Sequence, residues 1–71
     1  MTITQAEVIT KLAENNINVA ATARAMFMHY NTVDYHVRMI HRNTGLNPVN
    51  FYDLCALLRK ATAVLEGERD D

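Results

Sequence analysis

The sequence predicts an all-α fold of four helices. Apolar residues recur at three- and four-residue spacing along nearly the whole chain, no stretch alternates apolar and polar residues as a half-buried strand would, and residues suited to starting or stopping helices fall between the periodic segments. The expected helices cover about 4–15, 19–27, 31–43 and 51–66. They form one domain, 1–66, followed by an acidic tail, 67–71, expected to fray.

The first helix is placed by Thr4 and Glu7, which have the spacing of a capping box, and carries Ala6, Ile9, Leu12 and Ala13 on one face until Asn15-Asn16 ends it. Ile17 is expected to fold back on the core at the corner. Asn18 can cap the second helix, whose stripe is Val19, Ala20, Ala23, Met26 and Phe27. The apolar phase breaks across Met28-His29-Tyr30. The third helix then buries Val33, Val37 and Ile40, with Tyr35 and Met39 on its flank. Its stop is explicit, because Gly45 can take a left-handed conformation, Leu46 can make the accompanying apolar contact, and Pro48 follows. Asn50 can cap a fourth helix with Phe51, Leu54, Cys55, Leu58, Ala61 and Leu65 on its stripe. Leu57 and Val64 widen that stripe, which leaves this helix apolar surface to spare, and Gly67 is expected to end it.

Seventy-one residues make a single small domain, with no room for a deep substrate cavity or a small-molecule effector site. No apolar run is long enough to span a bilayer, and MTITQAEV lacks the features of a signal peptide, so a cytoplasmic protein is expected. The single cysteine, Cys55, has no partner for an internal disulfide and reads as a buried, inert thiol. His36 and His41 lie five apart, on different helix faces, and neither a metal nor any other cofactor is expected. With no convergent carboxylates, activated nucleophile or phosphate loop, the chain offers no reaction to assign to an enzyme.

The net charge of −1 conceals an uneven distribution. Residues 1–65 hold six basic groups against four acidic ones, and the acid is concentrated after Leu65. Within Asn18–Asn47, Arg24, Arg38 and Arg42 face Asp34 alone. That segment reads as two short helices joined by a tight turn, a helix-turn-helix, in which the first helix braces the second so that its leading side chains can enter a major groove. The residues free to do so are His29, Tyr30, Asn31, Thr32, Asp34, Tyr35 and Arg38. Asn can pair with adenine, Arg can fork onto guanine or phosphate, Thr can meet a thymine methyl, and Tyr can donate to a phosphate. Asn31 and Thr32 serve equally well as caps of the third helix, and Tyr35 reads chiefly as a packing residue at the core edge. Arg24 and Arg42 are either phosphate contacts or ordinary solvated charges.

The string His29-Tyr30-Asn31-Thr32-Val33, with Thr22-Ala23 before it and Tyr35, Val37, Ile40 and Thr44-Gly45-Leu46 after it, resembles a known family. It is similar to the C-terminal helix-turn-helix domain of PucR-type and sugar-diacid-type bacterial transcription regulators, itself like the Fis-type DNA-binding domain, over about Val8 to Leu58. The resemblance implies a four- to five-helix fold, sequence-specific binding of double-stranded DNA and control of catabolic operons. His29, Asn31 and Thr32 fall on its H-x-N-T. Where Tyr30, Asp34 and His36 stand here, members of that family commonly carry arginine. A homodimer reading paired half-sites is expected, with the spare apolar surface of Leu57, Leu58, Val64 and Leu65 as the pairing face. The alternative is a protein-interaction module in which a degenerate helix-turn-helix docks on another regulator.

Overall fold

The computed structural model describes residues 1–69, and among them it contains four α-helices and no strand. Helix α1 spans Ile3–Glu14, α2 Val19–Ala25, α3 Tyr30–Thr44 and α4 Phe51–Arg69. Helix α1 is central: its backbone approaches all three others and meets α4 most extensively, while that of α4 approaches α1 alone. This explains why α1 buries a wider face than one amphipathic stripe needs, with Val8 completely buried beside Ala6, Ile9 and Leu12.

The N-cap of α1 is Thr2, two residues before the Thr4 expected, and the helix begins at Ile3. The Thr2 hydroxyl accepts from the Gln5 amide at 3.1 Å and the Gln5 side-chain oxygen accepts from the Thr2 amide at 3.0 Å, a reciprocal box that displaces Thr4–Glu7. Both pairs have the required spacing. Extending a helix that is already nucleated adds backbone hydrogen bonds without a second nucleation cost, so the upstream pair sets the boundary. At the other end Asn15 caps as expected, and the chain turns through left-handed Asn16 (φ 57) and Ile17 (φ 62). Ile17 packs against the core.

Asn18 caps α2, its side chain accepting from Ala21 N at 2.8 Å. The buried positions here are Thr22 and Ala23, with Val19 and Met26 partly buried. The Thr22 hydroxyl donates to the Asn18 carbonyl at 2.8 Å, which lets a polar side chain sit inside. Phe27, expected on the buried stripe, is 98% exposed. The helix ends at Ala25 and Phe27 takes φ 55, so the 3.6-residue period that would have carried its ring inward no longer applies.

Val33, Val37 and Ile40 bury α3 as expected, and Gly45 at φ 76 ends it, its N–H donating to the His41 carbonyl at 2.9 Å. The following loop is fastened to α4, because the Asp53 carboxylate accepts from Asn47 N at 2.9 Å while Asp53 N donates to the Asn50 side chain at 3.1 Å.

The apolar face of α4 is rotated from its expected phase. Leu54, Leu57 and Ala61 are buried, and Leu58, Val64 and Leu65 pack around them, whereas Phe51 and Cys55 are exposed. Cys55 is therefore not the buried thiol expected. The supposed surplus of Leu57, Leu58, Val64 and Leu65 is taken up by the chain's own core. Helix α4 also continues through Gly67 to Arg69, three residues past its expected end. Of the expected frayed tail, 70 and 71 lie outside the described residues.

Candidate nucleic-acid interface

Helix α3 has two faces of opposite character. With Val33, Val37 and Ile40 turned inward, Asn31, Tyr35, Arg38 and Arg42 fall on the opposite side at helical spacing, and all four are exposed. Thr32 and Asp34 flank this row, and Tyr30, 49% exposed, opens the helix. Arg24 is exposed in the last turn of α2. Every residue singled out from the sequence is thus at least partly open to solvent, with Asp34 the most covered at 35% side-chain exposure.

Three features differ from expectation. Neither Asn31 nor Thr32 caps α3: His29 does, its Nδ1 accepting from Asn31 N at 3.1 Å. An imidazole that accepts at Nδ1 carries its proton on Nε2, so the exposed ring keeps one outward donor. Asn31 and Thr32 are consequently relieved of capping. Tyr35 is not a core-edge residue, being 54% exposed with its ring edge-on to His36 at 5.7 Å between centroids. Finally, Arg38 Nε lies 3.2 Å from Asp34 Oδ2, one turn away. That pairing was readable from the four-residue spacing of an acid ahead of a base, which is the favourable order on a helix. As a surface ion pair it contributes only a few tenths of a kcal/mol.

This face offers an amide, hydroxyls and guanidinium groups, the chemistry that can meet phosphates and base edges, on a helix packed from behind. Among the described residues no helix is long and apolar enough to cross a membrane. The family model for the PucR C-terminal helix-turn-helix domain matches residues 6–61, a span that contains the whole α2–α3 unit and the Val8–Leu58 stretch marked by the sequence motifs. Neither a curated protein nor a solved structure matches the chain.

Proposed function

This chain belongs to the PucR C-terminal helix-turn-helix family, whose members are DNA-binding transcription regulators, and from that premise we propose that it binds double-stranded DNA sequence-specifically, with α3 in the major groove. The observation that carries the proposal is the exposed row Asn31, Tyr35, Arg38 and Arg42, set on a helix whose other face is locked by Val33, Val37 and Ile40. His29, Tyr30, Thr32 and Asp34 complete the leading edge, and Arg24 and Arg42 take phosphates. The regulator acts in the cytoplasm.

Two copies read half-sites about one helical turn apart. Support for pairing comes from Phe51 and Tyr52, 61% and 81% exposed at the start of α4, in place of the leucines that the core absorbs. Sedimentation of the protein–DNA complex reads this stoichiometry, and a complex of one chain per duplex under all conditions would remove the pairing.

The deciding experiment is a fluorescence-polarisation titration against mixed-sequence duplex at rising salt. If each chain neutralises three phosphates, a dimer gives a log–log slope of roughly −5. Flat polarisation even at low salt would overturn the DNA reading in favour of a docking module.

A further inference from the structure

The ion pair between Asp34 and Arg38 sets this arginine of α3 apart from Arg42 on the same helix and Arg24 on α2. We propose that this pair is a guanine reader, in which Asp34 holds Arg38 so that its two outer amino groups fork onto O6 and N7 of one guanine per half-site. The inference rests on the DNA-binding reading above and extends it from a surface to a base.

The pair's atoms, direction and charge each favour this role. The closest approach of the carboxylate is to Nε, at 3.2 Å, and the two terminal nitrogens of a guanidinium form a planar pair of donors, the arrangement that matches the two acceptors of a guanine major-groove edge. With side-chain exposures of 72% for Arg38 and 35% for Asp34, the pair is open to a ligand.

Side chains on a helix lean toward its N-terminus, and Asp34 lies one turn in that direction, so the ion pair reinforces the lean. Arg38 is drawn toward the leading turns, the end of a recognition helix that meets base edges, and away from the flanking backbone. Holding a long side chain beforehand also lowers the rotamer freedom lost on binding.

A phosphate approaching Arg38 also approaches the Asp34 carboxylate, whose charge opposes it. A guanine edge carries acceptors and no net charge, so it gains the donors with less of that repulsion. Arg24 and Arg42, by contrast, enter no ion pair among the described residues and are free to meet phosphates. An acid that weakens general DNA affinity thereby sharpens discrimination.

The test is selection of bound duplexes from a pool with a randomised centre, carried out with the wild type, Asp34→Ala, Arg38→Lys and Arg38→Ala, each checked for unchanged helicity by circular dichroism. The wild type should select a guanine in each half-site, and replacing that G·C pair with A·T should weaken wild-type binding by about 5- to 150-fold, the range of one good bidentate contact. Arg38→Ala should be indifferent to the replacement. Arg38→Lys should keep the salt slope and lose the preference, because it retains the charge without the fork. Asp34→Ala should bind mixed-sequence duplex more tightly with a weaker preference for guanine. Salt-dependent binding without guanine selection, or an Asp34→Ala variant that discriminates as well as the wild type, would overturn this inference and leave DNA binding standing. No salt-dependent binding by the wild type would overturn both.

Discussion

Helices α1 and α4 form one half of the molecule and α2 and α3 the other, and the two halves divide the work unequally. Most of the fully buried apolar side chains, Ala6, Val8, Ile9, Leu12, Leu54, Leu57 and Ala61, belong to the first half. The second supplies Ala23, Val33, Val37 and Ile40. Its α2 has only seven residues, too short to be stable alone, and the solvent face of α3 is built of polar and charged side chains with two exposed tyrosines. Stability is therefore concentrated away from α3, and the proposed DNA-facing surface is carried by a thin layer resting on α1.

The largest test of that division is Leu57→Ala. Leu57 is completely buried, so its truncation should cost about 2–5 kcal/mol. A domain of this size has roughly 4–10 kcal/mol in total, so urea denaturation should show a much reduced midpoint, while the fraction still folded binds DNA with unchanged affinity. A selective loss of affinity in that folded fraction would mean the two halves are coupled more tightly than their packing indicates.

Next in size are the caps, one in each half. Thr2→Ala should lose about 1 kcal/mol and Thr4→Ala much less, since only Thr2 satisfies a free amide at the start of α1. His29→Ala should cost a similar ~1 kcal/mol but should also weaken DNA binding, if the first turn of α3 is the edge that the proposal places in the groove. His29→Asn, which restores a cap acceptor, should recover the thermal stability. Thermal melts and polarisation titrations of the four variants distinguish a cap that only holds the fold from one that also orients the interface.

How far these features were legible in the sequence follows the same division. The helices, the buried face of α3, the Asn18 and Asn50 caps and the Gly45 stop could all be read, because each depends on local periodicity or on one residue's conformational preference. The phase of α4 could not. Phe51 and Cys55 fit a 3.6-residue stripe as well as Leu54 and Leu57 do, and only the position of α1 decides which set is covered. The site was open to reading as a set of exposed residues, yet its internal bonds were not assigned. From spacing alone His29 reads as a contact, whereas it caps α3, and Asp34 reads as a groove-facing residue, whereas it pairs with Arg38.

A smaller effect concerns Arg42, which sits on the outward row and enters no ion pair among the described residues. Arg42→Ala should leave the melting curve almost unmoved, within about 0.5 kcal/mol, and reduce the magnitude of the salt slope by about one for each chain bound. An unchanged slope would assign Arg42 to bulk solvent and narrow the interface to the leading turns of α3.

The smallest expected change has the opposite sign and compares the two turns that flank α2. Ile17 and Phe27 both adopt left-handed backbone angles, φ 62 and φ 55, which disfavour a residue with a side chain by roughly 1–2 kcal/mol. For Ile17 the strain is offset, because its side chain packs on the core. Phe27 is 98% exposed, and its ring recovers nothing from burial. Glycine removes the steric cost but adds about 0.5–1 kcal/mol of backbone entropy, so Phe27→Gly should stabilise the domain by about 0.5 kcal/mol, whereas Ile17→Gly should destabilise it through lost packing. A destabilised Phe27→Gly protein in denaturant titration would show that the phenyl ring supports the turn. A stabilised one leaves a strained aromatic residue that the fold does not require, placed two residues before the cap of α3.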